Sequence, residues 1–150
     1  MRVVIQRVKK ADVTIDNVVV GKIEEGLLIL LGIEHEDTSS EIPWLCNKVS
    51  QLRIFSDDEG KMNKSVIDID GNALVISQFT LHSSTKKGNR PSFIKAARPE
   101  QAIPLYEEFV SVLSATLGKK VETGEFGGDM KVSLINDGPV TIIIDSKIKE

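Results

Sequence analysis

Ser77-Gln78-Phe79-Thr80-Leu81 places two hydroxyls and a carboxamide directly behind an apolar run, Ala73-Leu74-Val75-Ile76. Such groups donate and accept hydrogen bonds without carrying charge, and backbone N–H groups join them if the strand ladder stops there. An exposed strand end with ordinary polar residues has the same composition. In a continuous strand over 73–81, Ser77, Phe79 and Leu81 would face one side, with Gln78 and Thr80 on the other.

A second cluster, Asn136-Asp137-Gly138-Pro139-Val140-Thr141, lies between the branched runs Val132-Ser133-Leu134-Ile135 and Val140-Thr141-Ile142-Ile143-Ile144. Gly138 can adopt backbone angles closed to other residues, while Pro139 fixes its own φ and has no N–H to give a ladder. A rigid Gly-Pro step can therefore present bare carbonyl oxygens. Asp-Gly between two strands is equally a strong signal for an ordinary hairpin turn.

Conventional catalytic groups are few. His35 sits in the acidic turn Glu34-His35-Glu36-Asp37, His82 follows the polar cluster, and Cys46 falls on the apolar stripe of an expected helix. None forms a recognisable nucleophile–base pair. No HExxH, paired Cys-x-x-Cys or Walker loop occurs, so no metal or cofactor is expected.

These clusters must be positioned by the rest of the chain. Val3–Val8, Val13–Ile15 and Val18–Val20 read as strands, with Asp16-Asn17 as a two-residue hairpin turn. Leu27–Leu31 reads as a strand buried on both faces. Ile42, Leu45, Cys46, Val49 and Leu52 have helical spacing, preceded by Thr38 and Glu41 at capping-box spacing, with Ser39 or Ser40 as alternative caps. Pro43 fits only in the first turn of that helix. Arg53–Phe55 is a short strand candidate, and 83–92 is a polar loop carrying Lys86, Lys87 and Arg90. A second helix starts near Pro99, with Pro104 removing one of its hydrogen bonds. Strand-like Val121–Thr123 and a glycine-rich turn at 124–128 precede the final strands. The expectation is α+β: largely antiparallel β-sheets forming a barrel-like core with two main helices.

At 150 residues the chain suits one domain spanning 1–150, and 41% hydrophobic with 27% charged residues is an ordinary globular composition. A net charge of −3 offers no bulk attraction to nucleic acid or acidic membranes. A nucleic-acid partner would have to be held by a local patch or by its end. One cysteine, no apolar run of membrane-spanning length and no signal-peptide layout point to a cytoplasmic protein with no membrane partner.

Together, Ser77-Gln78-Phe79-Thr80-Leu81 and Asn136-Asp137-Gly138-Pro139-Val140-Thr141 resemble the two signature motifs of the D-aminoacyl-tRNA deacylases, also called D-tyrosyl-tRNA deacylases. Met1–Val8, Arg53–Asp57 with Gly60–Asn63, and Arg90-Pro91-Ser92-Phe93 fit the same pattern in order, so the likeness covers essentially the whole chain. It implies hydrolysis of the ester joining a D-amino acid to the 3′-terminal adenosine of tRNA, and of glycine mischarged on tRNA(Ala). It also implies a homodimer with its active site at the subunit interface. Gly138-Pro139 would then be a cis step inserted into the partner's pocket, rejecting L side chains by exclusion.

By the same likeness Ser77, Gln78 and Thr80 are the catalytic-site residues, and Phe79 helps to bind substrate. Arg7 matches an arginine on the family's first strand and could brace the Gly-Pro loop. Lys86, Lys87 and Arg90 are candidates for tRNA phosphates, and Phe93 for the terminal adenosine or for core packing. Thr80 is a nucleophile candidate by residue type but lacks an adjacent base. Attack by water, assisted by the ribose 2′-OH, is therefore the preferred route. A binding module without turnover and a Thr-nucleophile amidase are the alternatives.

Overall fold

The computed structural model describes residues 1–149; Glu150, the last residue of the expected 1–150 domain, lies outside them. Strand β1 (Arg2–Ile15) turns at Asp16-Asn17, whose φ values of 49° and 65° are those a two-residue primed turn requires. The return arm is β2 (Val18–Ile23) followed by β3 (Gly26–Gly32). Ile15 pairs with Val18, Ala11 with Ile23 and Arg2 with Gly32, so both strands line one edge of β1. The two pieces expected at Val3–Val8 and Val13–Ile15 are thus a single strand.

The Leu27–Leu31 run is buried on both faces because two cores meet across β3. Leu27, Ile29 and Leu31 face the helices, while Leu28 and the adjacent Leu30 join Val8, Val13 and Leu74 on the other side. Thr38 and Glu41 form the expected capping box around a short 3-10 turn at Ser39–Glu41, leading into α1 (Ile42–Gln51) with Pro43 in its first turn. A small hairpin, β4 (Phe55–Ser56) and β5 (Met62–Lys64), precedes β6 (Asn72–Ser77). Helix α2 (Pro99–Leu117) has Pro104 inside it and ends at Gly118 in the left-handed conformation. It buries Leu105, Tyr106, Phe109 and Leu113 in the core shared with α1. Burial pushes the Tyr106 hydroxyl up to about 12, and that hydroxyl donates to the Val75 carbonyl of β6 at 2.8 Å. Strands β7 (Glu122–Thr123) and β8 (Lys131–Asp145) complete the sheet.

Three expectations need correction. Most of the pairing is antiparallel, but the sheet is mixed: β6 lies parallel to β3, and β7 parallel to β6. The long excursion through α1 and the β4–β5 hairpin returns the chain in its original direction, as parallel pairing requires. The order β2-β1-β3-β6-β7 curls into a nearly closed barrel, bringing Gly21 of β2 so near the Thr123 carbonyl that a Cβ would overlap it. Second, the segments around Gly138-Pro139 do not form a hairpin. Both pair antiparallel with β1 as parts of one strand, β8. Third, the strand expected over 73–81 stops at Ser77. Phe79–His82 is a 3-10 turn, so the alternating-face reading of 77–81 fails.

The β3–β6 seam carries the polar cluster at its far end and tolerates little change at its start. Gly26 pairs with Asn72, whose carbonyl occupies the space a Cβ would need. Gly26→Ala should cost about 1–3 kcal/mol by forcing these strands apart. The measurement is a urea titration, where the midpoint should fall at an unchanged slope; an unshifted midpoint would contradict the close packing.

Candidate active site

The polar cluster departs from the sheet because β3 ends beneath it. The Gln78 N–H still donates to the Leu31 carbonyl at 2.8 Å, but Gln78 then adopts φ −141° and ψ 79° and the chain tightens into the 3-10 turn. Within that turn Leu81 N–H bonds the Gln78 carbonyl, and Ser83 N–H bonds the Thr80 carbonyl. The Phe79 and Thr80 N–H groups, first in the turn, have no hydrogen-bond acceptor among the described residues. Gln78 Nε2 donates to Thr80 Oγ1. No histidine or carboxylate hydrogen-bonds that hydroxyl among the described residues.

Ser77, Gln78 and Phe79 line a cleft of about 350 Å³, facing Gly127, Asp129 and Met130. Phe79 is 54% exposed and also borders a second cleft of about 450 Å³ with Phe93, Ile94 and Arg98; Phe126 lines both. The Phe79 and Phe93 rings meet edge to face at 5.1 Å, so Phe93 stands beside the cluster rather than in the core. Lys86, Lys87 and Arg90 are exposed on the 83–92 loop. Paired bonds between Ser84 and Ser92, at 2.8 and 2.9 Å, close the root of that loop next to Phe93.

The second cluster is a bulge opposite Arg7. Gln6 pairs with Thr141 and Val8 with Asn136, leaving Asp137–Val140 to span the space opposite one residue of β1. The Arg7 side chain, only 9% exposed, fills that gap. Its Nε donates to the Asp137 carbonyl at 2.9 Å and lies 3.4 Å from the Asp137 carboxylate, while Nη1 donates to the Ile54 carbonyl at 2.6 Å. Asn136 closes the bulge from within: its Nδ2 donates to the Val140 carbonyl and its Oδ1 accepts from Val140 N–H, both at 3.0 Å. Gly138 and Pro139 are left exposed, without ladder partners on β1. The Gly138-Pro139 peptide is cis, and Gly138 has φ +143°, where a Cβ would stand 2.7 Å from Val140 Cγ2. Neither residue lines the clefts at Phe79, so one chain holds the two motifs at separate places.

The remaining candidates are structural or peripheral. His35 is exposed, whereas His82 is 95% buried and its Nε2 has no partner among the described residues. Cys46 is fully buried, its thiol pushed up to about 12 by burial. Among the described residues no group of three or more His, Cys, Asp or Glu stands where it could hold a metal ion, and no helix is long and apolar enough to cross a membrane. Sequence reasoning missed three contributors. Asn136 and Arg2 act through contacts that no local periodicity signals, and the cleft wall at 126–130 overlaps a stretch, 124–128, that sequence alone marks only as a glycine-rich turn. Arg2 bonds both the Leu81 carbonyl and Asp145.

The Asn136 side chain substitutes for a lost ladder partner, and only a carboxamide can both donate and accept there. Asn136→Asp should therefore cost about 1–3 kcal/mol, leaving the Val140 carbonyl facing a carboxylate. Amide exchange at Val140 should accelerate with the loss of stability; protection equal to the parent's would rule this bracing out.

Comparison with known proteins agrees over the whole length. A family model described as D-Tyr-tRNA(Tyr) deacylase matches residues 4–145. A D-aminoacyl-tRNA deacylase of Bacteroides fragilis (strain YCH46) is 64% identical over 150 residues, covering all of both chains. One from Flavobacterium psychrophilum is 65% identical over the same span. A solved structure described as a c-Myc DNA unwinding element binding protein superposes with a TM-score of 0.92 at 41% identity, covering 97% of this chain and 98% of the other. Another, described as a probable eukaryotic D-amino acid tRNA deacylase, shares the fold with a TM-score of 0.80 at 16% identity, covering 95% and 97%. The chain belongs to the D-Tyr-tRNA(Tyr) deacylase family and, like the rest of that family, is a hydrolase.

Proposed function

We propose that the chain hydrolyses the ester linking a D-amino acid to the 3′-terminal adenosine of tRNA, and accepts glycine mischarged on tRNA(Ala). The observation that carries this is the pair of unaccepted N–H groups at Phe79 and Thr80, beside a cleft walled by Ser77 and Gln78. Consecutive free amides at the start of a turn can supply the donors that stabilise a tetrahedral oxyanion. The Thr80 hydroxyl is bonded by Gln78 and meets no base, which favours attack by water with the ribose 2′-OH assisting over attack by Thr80. Ser77 and Gln78 would orient the ester and its water. The 2′-OH comes with the substrate, so the protein need supply only orientation and charge stabilisation.

Chirality would be read across a homodimer. The exposed Gly138-Pro139 bulge would enter the partner's cleft, its carbonyls filling the place of an L side chain and leaving room for a D side chain or a hydrogen. Arg7 and Asn136 hold the bulge, which suits a filter that must not yield to the wrong substrate. Lys86, Lys87 and Arg90, on the loop rooted beside Phe93, would touch acceptor-stem phosphates, with Phe93 near the terminal adenosine. Such a proofreading role places the protein in the cytoplasm with its tRNA.

The second reading is a nucleic-acid binding module without turnover, favoured by the solved structure described as a DNA-binding protein. A net charge of −3 weighs against sequence-independent DNA binding, which depends on clustered basic residues. Incubation with D- and L-tyrosyl-tRNA separates the two: release of the D-amino acid alone is expected, and binding without release would replace the enzyme with the module. Thr80→Ala should keep substantial turnover. Loss of all activity with the fold intact would restore Thr80 as nucleophile. Gly138→Ala meets both a positive φ and close contacts, and should lower kcat/KM for D-tyrosyl-tRNA at least about tenfold by shifting the bulge. Parent-like kinetics would remove the bulge from the mechanism.

A further inference from the structure

We propose that Arg2 is a positioning residue for this hydrolysis, fixing the Phe79–His82 turn so that its two free N–H groups converge on the substrate. The inference rests on the reading of that turn as the oxyanion site.

Three contacts tie the turn to β1 and β3. Its entry is tied to β3 by the Gln78 N–H bond to Leu31. Beneath it lies Gly32, where a Cβ would stand 2.9 Å from Leu81 Cβ and 3.1 Å from the Gln78 carbonyl oxygen. Its far side is held by Arg2, whose Nη1 donates to the Leu81 carbonyl at 2.7 Å. The other two contacts seat the turn on β3; among the described residues Arg2 is the only side chain from another element that hydrogen-bonds the far end of the turn. A carbonyl near the end of a helical turn lacks an intrahelical donor, and a guanidinium supplies a strong, directional one.

Arg2 is itself held in place. Its Nε and Nη2 donate to Asp145 Oδ2 at 3.0 and 2.9 Å, and the Lys147 N–H donates to Asp145 Oδ1 at 2.9 Å. Both carboxylate oxygens are engaged, so the Asp145 rotamer is fixed and the guanidinium plane with it. Burial pushes the Asp145 carboxyl up, but the Lys147 N–H and Arg2 outweigh it and hold it below its ordinary value. The fork is geometrically specific. A lysine could reach Leu81 or Asp145, but its single nitrogen cannot reproduce the arrangement.

Two other roles give different signatures. At 34% side-chain exposure beside Lys95 and Lys147, Arg2 could instead meet a tRNA phosphate, or it could be a plain fold staple. The test is single-turnover deacylation of D-tyrosyl-tRNA over a range of enzyme concentrations, with residue-resolved amide exchange, on the full-length parent, Arg2→Met, Arg2→Lys and Gln78→Ala. Arg2→Met should lower the limiting rate about 10- to 100-fold. The half-saturating concentration should stay within about twofold. Exchange should quicken at Leu81 and Ser83 but not at Ile29 or Val75, and Arg2→Lys should recover part of the rate.

A raised half-saturation at an unchanged limiting rate would overturn the proposal in favour of a tRNA contact. Faster exchange throughout the sheet, with Arg2→Lys at the full parental rate, would overturn it in favour of a staple. Full activity in Arg2→Met with a crippled Gln78→Ala would overturn the proposal and leave the oxyanion-site reading standing. Full activity in both variants would overturn the proposal and also remove the Gln78 side chain from the reaction.

Discussion

A guanidinium that is nine-tenths buried must find acceptors, and the need to satisfy Arg7 organises the seam on which this structure depends. Arg7 projects from the middle of β1, opposite the β8 bulge, where β8 offers it no ladder partner. It takes the Asp137 and Ile54 carbonyls instead. Burying this charge unpaired would cost several kcal/mol, so the bulge of β8 and the position of Arg7 determine each other. Because β1 also pairs with β2 and β3 along its opposite edge, the bulge is referenced to the whole barrel rather than to a local turn.

Much of this scaffold is legible in the sequence where local chemistry and tertiary structure agree. The Asp16-Asn17 turn, the Thr38–Glu41 box and the doubly buried Leu27–Leu31 run each carry a signal within a few residues. The failures fall where tertiary contacts override such signals. Ser77–Leu81 alternates like a strand, yet β3 ends at Gly32, and nothing remains alongside to continue the ladder. Asp137-Gly138 carries a hairpin signal, but β1 is long enough to pair with the chain on both sides of it. The glycine needed at position 138 is present either way, so its type alone cannot tell a turn from a bulge.

The residues of the two motifs were legible as a resemblance, which also implied a Gly138-Pro139 step acting in the partner's pocket; how one chain holds them apart became visible only in the fold. Within one chain, Gly138-Pro139 and the Ser77–Phe79 cleft share no lining residues. If Gly138-Pro139 is the proposed filter and the cleft the proposed reaction site, a second copy must supply one of them, and the exposure of the bulge supports that reading.

Both motifs also solve one physical problem. Backbone N–H and C=O groups that are to meet a substrate must be withheld from the sheet, yet a segment withheld from the sheet loses the bonds that would fix it. The chain replaces those bonds with side-chain bonds aimed at neighbouring, non-functional backbone groups. Asn136 and Arg7 hold Val140 and Asp137, leaving Gly138 and Pro139 bare. Arg2 holds Leu81, leaving the Phe79 and Thr80 amides free. Arg2 and Arg7 lie five positions apart on β1, and each bonds a residue of β8, at Asp145 and Asp137. A single strand pair therefore sets the position of both exposed segments. A shift of β8 along β1 would displace the proposed chiral filter and loosen the anchor of the proposed reaction site in the same movement.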